Sequence, residues 1–130
     1  MRVPGALVYR DLAVRAVQAA CKLVGRLDGS FDDQVVSAFS EAFNNAALHS
    51  YKDRPGEIDI EIELTDNAIT LRISDEGEGY DPEKVPAPDL AALPESGMGL
   101  YIIRSFMDEV VYKPGKPNVL TMSKKVGSRR

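Results

Sequence analysis

Three groups of residues in this chain combine side-chain types and spacings that can do chemistry. Glu41, Asn45 and His49 stand four residues apart. On a helix that spacing forms one polar row. The row lies beside the apolar stripe of Val35, Val36, Phe39, Phe43, Ala46 and Ala47 rather than opposite it. The amide oxygen of Asn45 suits a hard cation. The carboxylate of Glu41, one turn away, can accept a proton from a hydroxyl or a water. Taken alone, the row is equally what a solvated helix edge with a local hydrogen bond would show.

The second group is Asp75-Glu76-Gly77-Glu78-Gly79, which ends an alternating apolar run. An Asp leaving a strand can accept a hydrogen bond from an exocyclic amine such as adenine N6. Guanine carries a carbonyl there, and burying the unpaired acceptor would cost about 1–3 kcal/mol. Neighbouring glycines let the backbone approach a flat ring. The bland alternative is a turn, since Asp and Gly are ordinary turn residues. The third group is Gly97-Met98-Gly99-Leu100 at a helix start. Glycines there expose backbone N–H groups, and the helix dipole favours anions. Two established phosphate motifs are absent: no G-x-x-x-x-G-K-[S/T] occurs, and the dinucleotide fingerprint fails at Ile102. A plain helix start remains open for this site.

The elements that must hold these groups follow from periodicity. A short strand or extended lead-in is expected over residues 1–7, weakened by Pro4 and Gly5. A first helix runs from Val8 to Val24, with Leu12, Val14, Ala16, Val17, Ala20, Cys21 and Val24 at helical spacing and Gly25 as a stop. A second runs from about Asp32 to His49, capped by Ser30 or Asp32. Ile58, Ile60, Ile62 and Leu64 alternate with acidic residues, Ile69, Leu71 and Ile73 alternate with polar ones, and Asp66-Asn67 marks the hairpin turn between them. Residues 80–96 carry four prolines and read as a loop with at most one helical turn, near Asp89–Leu93. A third helix begins at Gly97 or Gly99, with Leu100, Ile103, Phe106 and Met107 on its buried side. Two last strands, Val110–Tyr112 and Val119–Met122, flank Pro114-Gly115-Lys116-Pro117. The expected fold class is α+β: a two-layer sandwich of one mostly antiparallel mixed sheet with about three helices on one face.

Length and composition set the outer bounds. With 130 residues and 44% hydrophobic content, the chain fits one domain able to bury roughly 68% of its unfolded surface. A net charge of −4 and the lack of a basic stripe argue against a nucleic-acid surface. Lys124, Lys125, Arg129 and Arg130 read as a solvated tail. The single cysteine, Cys21, excludes an internal disulfide and reads as a buried thiol. No apolar run approaches the ~20 residues of a membrane span, and no signal-peptide pattern opens the chain. The expected location is the cytoplasm. The alternating Glu57, Asp59, Glu61 and Glu63 read as a solvated sheet face rather than a docking surface.

The three groups gain weight from their order: Glu-x-x-x-Asn on a helix, a hairpin ending in Asp-x-Gly-x-Gly, a proline-broken loop, then Gly-x-Gly opening a helix. In this order the chain resembles the ATPase/kinase superfamily of gyrase, the histidine kinases and the mismatch-repair ATPases, which share the Bergerat nucleotide fold. Within it the chain looks most like the anti-sigma-factor serine kinases of bacterial sporulation and stress response. The residues carrying the likeness are Ser40-Glu41-Ala42-Phe43-Asn44-Asn45-Ala46-Ala47-Leu48-His49-Ser50-Tyr51, Asp75 to Gly79, Ser96 to Leu100, and Phe106-Met107-Asp108-Glu109-Val110. They span nearly the whole chain.

The resemblance implies a histidine-kinase-like ATPase domain over residues 1–126, with an ATP lid at about 80–96 and a basic tail at 127–130. It makes Glu41 the catalytic base, Asn45 the Mg²⁺ ligand and Asp75 the adenine-reading carboxylate. Gly77 and Gly79 would pass close to the base. Ser96, Gly97, Met98, Gly99 and Leu100 would form the lid hinge and phosphate turn, and His49 joins the cofactor-binding set. The implied activity is ATP-dependent serine phosphorylation of an anti-anti-sigma antagonist by a protein that also binds a sigma factor, in many members as a homodimer. Two positions depart from the pattern. Glu95 stands where the sporulation kinases often have a basic residue, so phosphate charge falls to Mg²⁺, to backbone N–H groups or to Arg104. Pro117-Asn118 replaces the Gly-Thr of the last strand, with Asn118 as a substitute polar contact. The competing functions are a non-catalytic ATP-gated switch that sequesters a partner, the catalytic half of a split histidine kinase, and an α+β domain without ligand.

Overall fold

The alternation of Ile58, Ile60 and Ile62 sends one row of side chains inward and leaves Glu57, Asp59, Glu61 and Glu63 outside. The computed structural model describes residues 1–24, 29–50, 56–77 and 95–126, those at 29, 49, 50 and 95–100 as backbone alone. In chain order these form β1 (Arg2–Pro4), a 3₁₀ turn (Leu7–Tyr9), α1 (Arg10–Leu23), α2 (Gly29–Asn45), a π-helical turn (Ala46–Ser50), β2 (Glu57–Leu64), β3 (Ala68–Asp75), α3 (Glu95–Phe106), β4 (Glu109–Lys113) and β5 (Asn118–Lys125). The sheet order is β1-β2-β3-β5-β4. Every described pairing is antiparallel. The expected sandwich is present, and its sheet carries no parallel pair among these strands.

The central hairpin turns where Asp66-Asn67 predicts. Thr65 closes it: its hydroxyl oxygen accepts the N–H groups of Asn67 and Ala68 at 3.3 and 3.1 Å. Pro4 sits at the end of an edge strand, where its missing N–H breaks no central ladder. On the outer face Arg72 reaches Glu61 at 2.7 Å and Glu63 at 3.4 Å, and Arg2 reaches Asp59 at 3.1 Å. Such solvated pairs contribute about 0–1 kcal/mol each. The acidic row is therefore an exposed sheet face, as its alternation predicts.

The inner face meets the helices. Ile58, Ile69, Leu71 and Met122 are fully buried beneath Val35, Phe39 and Phe43 of α2 and Ile103 of α3. Phe39 and Phe43 tilt against each other with ring centroids 6.3 Å apart. Phe43→Ala should destabilise the domain by about 3–5 kcal/mol, read as a lower midpoint in urea unfolding. On α1 the buried row is Ala13, Val17, Ala20 and Cys21. Leu12, expected inside, is 55% exposed. Ala13, Val17, Ala20 and Cys21 make one face at helical spacing, and Leu12 stands off it.

Cys21 is sealed in that row, and burial first and Asp32 second push its thiol up to about 11 from 9.0. The folded state thus holds its proton longer than the unfolded chain does. Stability from this group is whole below pH 9 and is lost as pH rises toward 11. Unfolding midpoints at pH 8 and pH 11 should differ less in Cys21→Ala than in the parent protein.

Several boundaries differ from the sequence expectation. The second helix starts at Gly29, so Ser30 and Asp32 lie inside its first turn, where Asp32 favours the helix dipole rather than capping it. The third helix starts at Glu95, ahead of Gly97 and Gly99. The last strand extends through Lys124 and Lys125, which the composition assigns to a solvated tail. Their pairing with Ile69 and Ala68 places them in the sheet. Lys124 Nζ donates to the Phe106 carbonyl at 2.7 Å, satisfying the C-terminal end of α3. The Lys125 N–H donates to Asp108 Oδ2 at 2.6 Å. Gly25, Gly79, residues 80–94 of the expected lid and the 127–130 tail lie outside the described residues.

Candidate functional site

Ile69, Leu71, Ile73 and Asp75 share the inward face of β3, so the strand's last core position is a carboxylate, 5% exposed. Its register partner is Asn118, the first residue of β5, 1% exposed. Burying these groups is costly unless their hydrogen bonds are made. Asp75 Oδ1 accepts the Gly77 N–H at 3.0 Å and the Asn118 Nδ2 amide at 2.9 Å. The same Nδ2 donates to the Gly77 carbonyl at 3.0 Å, and Asn118 Oδ1 accepts the Gly115 N–H at 2.9 Å. Gly115 has φ 150°, a conformation that residues with side chains rarely adopt. Among the described residues no group donates to Asp75 Oδ2. Among the described residues, that corner of the carboxylate is open as an acceptor beside the Gly77 turn.

Glu41 and Asn45 lie one turn apart near the C-terminal end of α2, Glu41 half-buried and Asn45 only 6% exposed. Asn44 turns toward α1, where its Oδ1 accepts from Arg10 Nη1 at 2.7 Å. Beyond Asn45 the helix widens into the π turn, a feature frequent at functional sites. The side chain of His49, expected to continue the row of Glu41 and Asn45, lies outside the described residues. The helix bearing Asn45 packs against α3 and touches β3. Because α3 begins at Glu95, the amides of its first turn that have no intrahelical acceptor are those of Glu95, Ser96 and Gly97. Met98, Gly99 and Leu100 follow inside the helix. The first turn of α3 therefore begins two residues ahead of the Gly-Met-Gly run.

A cavity of about 570 Å³ also reaches Asp75, lined by Arg2, Asp59, Ser74, Glu76 and Pro117 among others. Arg2, Asp59 and Ser74 belong to the outward row of the sheet. This recess includes neither Glu41 nor Asn45. Among the described residues no cluster of three His, Cys, Asp or Glu forms a metal cage.

Two features escape a reading by motif: the threefold engagement of the Asn118 side chain and the tie between Arg10 and Asn44. The first had a signal, since Asn118, Leu120 and Met122 alternate onto one face and put a polar residue at its end. The second had none, because the partners stand 34 residues apart.

Residues 5–124 match the family model described as histidine kinase-like ATPase domain. The anti-sigma F factor of Caldanaerobacter subterraneus subsp. tengcongensis is 35% identical over 124 residues, 89% of this chain and 85% of the relative. A serine-protein kinase RsbW of Staphylococcus aureus strain MRSA252 is 34% identical over 124 residues, 87% of this chain and 77% of the relative. Among solved structures, the histidine kinase domain of the Erythrobacter litoralis EL346 blue-light activated histidine kinase superposes with a TM-score of 0.58 at 14% identity, over 94% of this chain. This chain spans 61% of that structure, and the likeness concerns the fold alone.

Proposed function

Because the chain belongs to the histidine kinase-like ATPase domain family, we propose that it is an anti-sigma-factor serine kinase. It binds Mg-ATP between α2, the end of β3 and the start of α3, and phosphorylates a serine of an anti-anti-sigma protein. It also holds a sigma factor, and so regulates transcription without touching nucleic acid itself, in keeping with a net charge of −4. It acts as a homodimer in the cytoplasm. Among the described residues no helix is long and apolar enough to cross a membrane.

The observation that carries the nucleotide reading is the buried Asp75, whose Oδ1 is held by Gly77 and Asn118 and whose Oδ2, without a donor among the described residues, can accept from an exocyclic amine. The relatives named anti-sigma F factor and serine-protein kinase support the rest. ATP supplies the phosphoryl group, and Mg²⁺ neutralises its phosphate charge. Asn45 holds the cation through its amide oxygen, as one of the few protein ligands that magnesium takes beside phosphates. Glu41 accepts the proton of the attacking serine hydroxyl. The free amides at the start of α3 bind phosphate oxygens, helped by the helix dipole. Gly77 and Gly79 border the base, and His49 and Asn118 complete the surroundings. Such a site works by positioning and charge stabilisation rather than by covalent chemistry of its own.

Incubation with γ-labelled ATP and an anti-anti-sigma protein of the same cell should place label on a serine of that protein. Tight ATP binding without label transfer would reject the kinase half. Asn45→Ala should bind ATP equally well with and without magnesium, measured by calorimetry, whereas the parent protein binds more tightly with it.

A further inference from the structure

We infer that Asn118 is a positioning residue for base selectivity, acting through Asp75 without touching the nucleotide. The inference rests on the nucleotide reading above and adds a determinant of which purine edge the site accepts.

An asparagine side chain offers two N–H donors and a carbonyl oxygen. Both donation contacts of Asn118 are taken, by Asp75 Oδ1 at 2.9 Å and the Gly77 carbonyl at 3.0 Å. Its oxygen accepts from Gly115 at 2.9 Å. The residue is 1% exposed, which leaves no surface for a ligand. Its orientation is fixed by its neighbours: two of them are acceptors only and the third is a donor. What it controls is therefore next door. One amide group holds Asp75 Oδ1 and the Gly77 carbonyl together, while the Gly77 N–H also points at Oδ1. The carboxylate cannot rotate without breaking bonds at two other groups. Oδ1 is used up, and Oδ2 is held as an acceptor. A ligand edge presenting an amine is matched, and one presenting a carbonyl meets a fixed carboxylate oxygen that it cannot satisfy.

Selectivity thus depends on a residue of β5, one strand away from the reader. Without the amide, Asp75 keeps its charge but gains freedom to turn, so both the reward for an amine and the penalty for a carbonyl shrink. Buried hydrogen bonds to a charged group are worth more than neutral ones.

Asn118→Val and Asn118→Thr test this as a near-isosteric pair. Both suit a strand, and they differ by one hydroxyl donor. Affinities for Mg-ATP and Mg-ITP, which differ at the purine 6-position, are measured beside thermal midpoints. The parent protein should prefer ATP. In Asn118→Val the ATP:ITP ratio should fall roughly tenfold, mainly through weaker ATP binding. Asn118→Thr should stay within about threefold of the parent. A folded Asn118→Val that keeps the parent ratio, with only its melting point lowered, overturns the inference and leaves the nucleotide site standing. A parent protein that binds ATP and ITP alike removes the amine-reading role of Asp75 and this inference with it. If neither variant folds, NMR of the parent protein decides. Protected Asn118 side-chain amide protons without Overhauser contact to bound ATP support it, and direct contact to the nucleotide overturns it.

Discussion

Replacing Glu41 by Gln should lower the rate of serine phosphorylation roughly thousandfold while ATP affinity stays within about threefold of the parent value. Gln keeps the size and the polar head of Glu but lacks a basic oxygen at neutral pH. Glu41 is half-buried on α2, one turn before Asn45, so the substitution should leave the helix and the cation site intact. The effect should fall on kcat rather than on KM for ATP, because a proton acceptor acts only as the serine attacks. Single-turnover transfer from labelled ATP separates the two. A loss below about tenfold would remove Glu41 from proton transfer and assign the step to another group.

Asp75→Asn should weaken ATP binding roughly hundredfold and bring ITP level with it or ahead. The reason is geometric. An Asn at this position keeps an oxygen able to accept from Gly77 and from Asn118, so the local network survives. The corner now occupied by Oδ2 then becomes an amide N–H₂. A donor faces the amine of adenine, and a good contact becomes an unpaired, buried one. The carbonyl of hypoxanthine finds a partner instead. Competition between ATP and ITP on one protein sample reads the inversion directly. Equal losses for both nucleotides would mean that Asp75 supports the fold and does not read the base.

Much of this was legible in the sequence, and for identifiable reasons. The alternation of Ile58 to Leu64 and of Ile69 to Ile73 gave both central strands and the turn between them, because a half-buried antiparallel sheet imposes a period of two on its residues. Asp75 lies at the strand end where it was expected, since it simply continues the inward row. Helix starts were less legible. Gly29 and Glu95 both precede the residues chosen as starts, because propensity marks a helix interior better than its first turn. Lys124 and Lys125 read as tail by charge, but their backbones complete the ladder with Ile69 and Ala68, and hydrogen bonding outweighs composition there. The π turn after Asn45 leaves no periodic trace in five residues. The engagement of Asn118 required knowing that Asp75 lies directly across from it.

The sealed thiol in α1 carries a practical consequence. Maleimides need an accessible thiolate, and Cys21 offers neither exposure nor ready ionisation. A single cysteine introduced at the exposed Lys116 would therefore take a dye alone, with the native residue left in place. Because the neighbouring Gly115 amide is tied to Asn118, a fluorophore there would sit on the hairpin that braces Asp75, and on the proposed reading its emission should follow nucleotide titrations in real time.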